Sequence, residues 1–239
     1  MAHELNQPLT AINNYCSGMV SRIKGKQISD KDLLGALGRT GRKAHRAGQI
    51  TQHYKTIVKR SEPNRTLAEV PGMVAEALEL AEIEFRRRNV RLTHHIAARL
   101  PTLQVDPILI EQVLVNLLKN AAESIDAAHR PTSRRHVELR VVPRIESEQR
   151  VVEFSVTDTG QGLAPEVLDR LFEAFFSTKA EGMGIGLNLC RSIVESHHGR
   201  MQARNLYNGQ EVVGCCFSFW IPVTDSQQTD AFKDSGVTV

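Results

Sequence analysis

Two adjacent side chains have the types needed for proton or group transfer: His3 stands beside Glu4 in His3-Glu4-Leu5-Asn6-Gln7-Pro8-Leu9. An imidazole near its ordinary pKa of about 6.5 is mostly neutral at pH 7, which leaves one ring nitrogen free as a nucleophile. A neighbouring carboxylate can orient or deprotonate the other nitrogen. Gln7 stands where a zinc-binding HExxH pattern needs its second histidine, so that pattern is excluded. On its own the heptapeptide reads as carrying an ordinary surface histidine.

A second group lies in Glu111-Gln112-Val113-Leu114-Val115-Asn116-Leu117-Leu118-Lys119-Asn120-Ala121-Ala122-Glu123. Asn116 and Asn120, four apart, share one helical face, and Glu123 is within reach of it. Asparagine inside a helix is costly, so two of them among leucines and valines need a reason. Buried amide hydrogen bonds are one, and oxygen ligands for a hard cation such as Mg²⁺ are another.

Two glycine loops follow. Asp158-Thr159-Gly160-Gln161-Gly162 succeeds a strand-like run and sets a carboxylate at a strand end, where it could accept from the amino group of a base. Gly182-Met183-Gly184-Ile185-Gly186 precedes an apolar helical run, where glycines let backbone N–H groups approach a phosphate. Leu187 breaks GxGxxG, and Gly-x4-Gly-Lys-Ser/Thr is absent, so neither a dinucleotide fold nor a P-loop is indicated. Taken singly, each loop reads first as a turn.

The elements that must position these groups are legible from periodicity. Leu5, Leu9, Ile12, Cys16, Met19 and Ile23 alternate spacings of four and three, the seam of a bundled helix. A second seam runs Leu33, Leu37, Thr40, Ala44, Ala47, Thr51, Tyr54 and Val58, with Asp30 placed to cap it. Two such helices make an antiparallel hairpin that cannot bury both seams alone, so a second copy closing a four-helix bundle is expected. Pro63 marks a boundary. Beyond it helices are expected at 70–85, 107–125, 165–171 and 187–196. Strands are expected at 90–96, 103–105, 137–142, 151–156, 200–206 and 212–221. The expected fold is α+β, a helical hairpin followed by an α/β sandwich with a mixed sheet. The units are 1–62, 65–224 and a disordered tail at 225–239.

Composition narrows the function classes. The 239 residues are 41% hydrophobic and 24% charged, which argues against disorder. Thirty basic against 27 acidic side chains give +3, too little to imply nucleic-acid or membrane partners. Neither residues 5–21 nor 212–224 has the length and apolarity of a membrane span, and no signal peptide is read at the start. The four cysteines form no CxxC and are read as reduced core thiols of a cytoplasmic protein.

Together, in order and spacing, these motifs resemble the sensor histidine kinases of two-component systems, whose ATPase domain is shared with gyrase and heat-shock chaperones. His3 to Leu9 resembles the phosphoacceptor box and Asn116-Leu117-Leu118-Lys119-Asn120-Ala121 the asparagine box. The stretch from Asp158 to Gly162 resembles the first glycine box, and Gly182 to Leu187 the second. Leu171-Phe172-Glu173-Ala174-Phe175-Phe176-Ser177-Thr178-Lys179 resembles the phenylalanine box of an ATP lid.

The resemblance implies ATP-dependent autophosphorylation of His3, with Glu4 as base or orienting carboxylate, and then transfer to an aspartate of a separate response regulator. It further implies Mg²⁺ held by Asn120 with support from Asn116 and Glu123, and adenine bound by Asp158. Gly160 and Gly162 would let the backbone approach the nucleotide. Thr178, Lys179, Gly182, Gly184, Gly186 and Leu187 would face it from the lid side, with Phe172, Phe175 and Phe176 anchoring the lid. The expected assembly is a homodimer. Three further readings complete the set. The chain is a fragment of a longer kinase; its first helix starts nearer Pro8, leaving His3 loose; and a nucleotide-binding dimeric scaffold without self-phosphorylation is the alternative function.

Overall fold

The computed structural model describes residues 2–25, 28–58, 63–174, 176–178 and 184–224. The chain divides between Glu62 and Pro63 into two compact units.

The first unit is two helices, α1 (Ala2–Lys24) and α2 (Asp30–Val58), packed on each other. Helix α1 starts at Ala2 rather than near Pro8. Pro8 thus lies in the second turn, where its missing N–H forfeits one backbone hydrogen bond and its ring crowds the preceding turn, a cost the rest of the helix outweighs. The cap of α2 is Ser29, not Asp30: the Asp32 N–H donates to Ser29 Oγ at 3.2 Å, and that hydroxyl donates to Asp32 Oδ2 at 2.7 Å. Asp30 instead opens the first turn, where its charge favours the positive end of the helix.

Between the helices Met19 and Ala36 are buried, and the Arg39 guanidinium lies 5.4 Å from the Tyr15 ring centre. Leu9, Val20, Ile23, Leu34 and Leu37 remain exposed, Leu34 at 69%. The hairpin therefore leaves part of its apolar surface uncovered by its own chain.

The second unit is built on a five-stranded sheet in the order β2-β4-β5-β7-β6. Its strands are β2 (Arg91–Ile96), β4 (His136–Glu146), β5 (Gln149–Asp158), β6 (Arg200–Asn208) and β7 (Glu211–Pro222). The β2–β4 pair is parallel and the others antiparallel, so the sheet is mixed. Helices α3 (Val70–Arg87), α4 (Pro107–Ala127) and α6 (Gly186–Ser196) cover one face; the short α5 is Pro165–Arg170.

Alternation decides which side chains enter the core. Leu139, Val141, Phe154, Val156 and Phe219 point inward to meet Val74, Leu114, Leu118 and Val194 of the helices. Phe154 and Phe219, opposite each other in register, stack with ring centres 4.7 Å apart. Asp158 continues the inward set of β5, so the alternation that fills the core also buries a carboxylate at the strand end.

Two features depart from expectation. Strand β3 (Leu103–Val105) does not join the main sheet but pairs with β1 (Thr66–Ala68), too short to stand out in the sequence. The β4–β5 ladder runs on past Pro143, which pairs with Val152. Strand β2 pairs only as far as Val141, so at Pro143 β4 has become an edge strand, where a missing N–H costs little.

Candidate functional site

The site is organised by α4. Asp106 caps it, accepting from the Leu109 N–H at 3.3 Å, and Pro107 supplies a preset first turn. Leu114, Leu117, Leu118 and Ile125 anchor the buried face. Asn116, Asn120 and Ser124 then fall at four-residue intervals on the flank, all half-buried.

That flank ties together the two glycine loops. Asn116 Nδ2 donates to Cys190 Sγ of α6 at 3.1 Å. A Cβ on Gly186, the first residue of α6, would come within 2.8 Å of Asn116 Nδ2. The glycine there is needed for helix packing, a role the phosphate-facing reading did not include. Two turns further on, Ser124 Oγ donates to Asp158 Oδ1 at 3.4 Å, and a Cβ on Gly160 would meet Ser124 Oγ at 2.1 Å.

Asp158 is 2% exposed, and its Oδ1 also accepts from the Gly160 N–H at 2.7 Å. Burial pushes its carboxyl up to about 6, against the opposing pull of the hydrogen bonds from Gly160, Ser124 and Cys215.

The Asp158 loop is held from behind by residues that the motifs did not reveal. Arg130 donates from Nε to the Thr159 carbonyl at 3.2 Å and from Nη2 to the Gly160 carbonyl at 3.1 Å. The Thr159 hydroxyl accepts from the His136 N–H at 3.1 Å. Asn205 of β6 pairs reciprocally with Leu163, accepting from its N–H at 2.8 Å and donating to its carbonyl at 2.7 Å. Gly162 between them has φ +71°, and a Cβ there would lie 2.2 Å from Val212 Cγ1. Of these supports only Ser124 had a sequence signal, since it extends the Asn116–Asn120 spacing by one more step.

On the other side, α6 begins at Gly186 without a side-chain cap. Its N-terminus suits an anion, because uncapped N–H groups and the helix dipole both favour negative charge. Gly184 just before it has φ +65°, a conformation side chains disfavour, and Leu187 packs against the core. Asn188 Nδ2 donates to the Phe172 carbonyl at 2.9 Å, and the Arg191 guanidinium lies 5.5 Å from the Phe172 ring centre. Arg170 covers Phe176 at 4.5 Å.

The far end of α6 is fixed too. His197 is buried, donates from Nδ1 to the Ile193 carbonyl at 2.8 Å, and accepts the Asp106 N–H on Nε2 at 3.0 Å. Burial lowers its pKa and keeps it neutral, as that acceptor role requires. Helices α4 and α6 are thereby locked where Asp106 caps α4.

Glu123 Oε1 lies 3.9 Å from the Arg88 guanidinium, an ion pair the sequence did not suggest. Thr178 is exposed. Phe175, Lys179 and Gly182 lie outside the described residues, as does the 225–239 tail. His3 and Glu4 are in α1, but their side chains are outside the described set.

Among the described residues no cluster of three His, Cys, Asp or Glu could hold a metal. Any cation at Asn120 would therefore take most of its oxygens from a ligand. Amide oxygens on the α4 flank, which reaches the first residue of α6 through Asn116, fit Mg²⁺ shared with phosphates and do not fit a resident transition metal. Among the described residues, no helix is long and apolar enough to cross a membrane.

A mixed sheet covered on one face carries a buried strand-end aspartate in a glycine loop and an asparagine-bearing helix joined to a second glycine loop. Residues 105–225 match the histidine kinase-, DNA gyrase B- and HSP90-like ATPase family, to which this chain belongs, falling with its sensor histidine kinases. The chain is 37% identical over 223 residues to the C4-dicarboxylate transport sensor protein DctS of Rhodobacter capsulatus, covering 93% of this chain and 32% of DctS. It is 36% identical over 226 residues to the sensor protein FixL of Bradyrhizobium diazoefficiens, covering 94% of this chain and 43% of FixL. The chain thus spans less than half the length of these relatives. The crystal structure of histidine kinase ThkA in complex with response regulator protein TrrA covers 95% of this chain and 61% of its own, with TM-score 0.64 and 24% identity, a likeness of fold.

Proposed function

We propose that the second unit binds Mg-ATP and that its γ-phosphoryl group passes to His3, then to an aspartate on a separate response regulator. The observation that carries this reading is the convergence on α4. Its asparagine flank touches the first residue of α6 through Asn116 and the buried Asp158 through Ser124. An adenine amino group would donate to Asp158, and the phosphates would lie toward the N-terminus of α6. Asn120, supported by Asn116 and Glu123, would hold Mg²⁺, which supplies charge neutralisation to the phosphates when bound. Gly160 and Gly162 keep the backbone close to the base. Thr178, Lys179, Gly182 and Gly184 belong to the lid over the phosphates, with Phe172 as its anchor.

In the first transfer the unprotonated ring nitrogen of His3 bonds to the γ-phosphorus as the bond to the ADP oxygen breaks, and Glu4 takes up or orients the proton on the other nitrogen. The protein supplies position and charge, not a covalent partner other than His3. Support for the second transfer comes from ThkA, whose structure holds a response regulator. ATP as substrate places both units on the cytoplasmic side. A scaffold without self-phosphorylation has no use for the His3-Glu4 pair, and the relatives are sensor kinases.

With ATP labelled on the γ-phosphate, the chain is expected to gain acid-labile label that His3→Gln lacks. Label retained by His3→Gln would place the acceptor elsewhere.

We also propose that residues 1–62 dimerise, their uncovered apolar side chains closing a four-helix bundle. Leu37 is 51% exposed on the second seam. Leu37→Glu would set two charges in that seam, and burying them unpaired costs several kcal/mol, on the order of a thousandfold in association. Sedimentation should show the parent as a dimer and the variant as a monomer. A variant that sediments as the parent does would remove Leu37 from the interface.

A further inference from the structure

The face of the sheet that no helix of this unit covers is not flat. It holds a cavity of about 540 Å³ between β4 and β6. Register explains it. On the two central strands Ser155 stands opposite Ser218, and Thr157 opposite Cys216, so the middle of this face carries short side chains. Arginines stand on either side, Arg140 on β4 and Arg204 on β6. Their strands are three spacings apart, about 14 Å, and Arg204 stands two residues along from the row of Arg140, whose register partner on β6 is Gln202. Ser218 and Cys216 are only 3% and 5% exposed although no described helix of this unit covers them, which makes them a recessed floor beneath a rim of long side chains.

The charges are of two kinds. Arg144 is neutralised by Glu153 at 3.0 Å and Glu146 at 3.4 Å. Arg140 and Arg204 make no salt bridge among the described residues, and Glu138 joins them in the lining. Gln202 Nε2 donates to Ser218 Oγ at 3.2 Å, which leaves the serine proton available to a further acceptor. The floor is hydroxyl-rich rather than apolar, which disfavours a lipid or an apolar peptide. The volume lies within the roughly 300–1,000 Å³ of small-molecule sites, whereas a protein interface needs about 1,000 Å² of buried surface.

We propose that this cavity is a second ligand site, for a phosphorylated polyol: a sugar phosphate or a nucleotide. Arg140 and Arg204 grip the phosphate, since planar guanidinium groups pair with its oxygens in bidentate fashion. Ser155, Ser218 and Glu138 exchange hydrogen bonds with hydroxyls. The site is separate from the one around Asp158: β5 presents Ser155 and Thr157 to the open face and Asp158 to the helices. The inference does not depend on the kinase reading.

The test uses the full 239-residue chain, ¹⁵N-labelled and saturated with Mg²⁺ and a non-hydrolysable ATP analogue so that the Asp158 site is filled. Inorganic phosphate, glucose 6-phosphate and guanosine monophosphate are titrated separately. Saturable shifts are expected at the amides of Ser155, Thr157, Cys216 and Ser218 with one or both organic phosphates, and which of them binds decides between sugar and nucleotide. Arg140→Gln or Arg204→Gln should each weaken that binding about tenfold, the loss of one charge-assisted pair. Both positions are at the surface, and an unchanged thermal midpoint would show the variants folded. Inorganic phosphate binding as tightly as the organic phosphates would mean an adventitious ion only and overturn the proposal. So would no saturable shift with either organic phosphate, or shifts that survive both substitutions.

Discussion

Asp158→Asn should remove a decline in the stability of the ligand-free protein between about pH 4 and 6 and weaken ATP binding about a hundredfold. In the folded chain the Asp158 carboxyl holds its proton up to about 6, against 3.8 for an ordinary aspartate. Between those values the folded state carries more protons than the unfolded state. Stability therefore falls as pH rises through that window and stays at the lower level above it. The gap of about 2.2 units, 6 minus 3.8, corresponds to about 3 kcal/mol. Asparagine has no charge to bury, so its unfolding curve should lack this decline.

The nucleotide effect runs the other way. An adenine amino group donating to a carboxylate is a charge-assisted bond of about 1.5–3 kcal/mol, and an amide nitrogen in its place would set donor against donor. About a hundredfold loss of ATP affinity is expected. In the parent chain, affinity should also weaken as pH drops below 6 and the carboxyl protonates. Thermal denaturation across pH 4–8 and calorimetric ATP titration check both halves. ATP affinity in Asp158→Asn within threefold of the parent would show that Asp158 is not the adenine acceptor. A pH decline that persists would show that the carboxylate charge is not desolvated.

How much of this site could be read from the sequence depends on how its parts are connected. Asn116 and Asn120 were legible because helical spacing is local: a costly residue type recurring every fourth position on an apolar helix has few explanations. Asp158 and its glycines were legible as a strand end followed by a turn. Arg130 and Asn205 were not, because their contacts cross 30 and 42 residues and leave no trace in spacing. The cap of α2 failed for a different reason. Ser29 and Asp30 are adjacent and both are good caps, and only geometry shows that Ser29 reaches the Asp32 N–H. Strand β1 exists through its pairing with β3, and three residues carry no pattern of their own. Glu123 was assigned to the asparagine face by spacing, and its neighbour Arg88 comes from the end of another helix.

Gly160 tests whether the Asp158 loop and α4 form one packed unit. A Cβ at this position would stand 2.1 Å from Ser124 Oγ, 2.7 Å from Asp158 Oδ1 and 2.9 Å from the Ser124 carbonyl carbon. The hydroxyl can rotate away. The backbone of α4 cannot move without disturbing the core around Leu117, Leu118 and Ile125, which are at most 1% exposed. Overpacking of this kind costs about 1–3 kcal/mol, and three close contacts place Gly160→Ala at the upper end. The loop must shift, and with it the Gly160 N–H that holds Asp158, so ATP affinity should fall at least about tenfold.

Ser124→Ala in the same chain removes the 2.1 Å contact and leaves the other two, so part of the lost stability should return. Gly72→Ala on α3 is the control. Nothing lies within 4 Å of its Cβ, and a helical alanine there should stabilise by up to about 1 kcal/mol. Unfolding midpoints for the four chains, with an ATP titration of each, complete the test. Gly160→Ala as stable as the parent would mean that loop and helix are not in contact. A stable Gly160→Ala that still binds ATP would separate the loop from the nucleotide altogether.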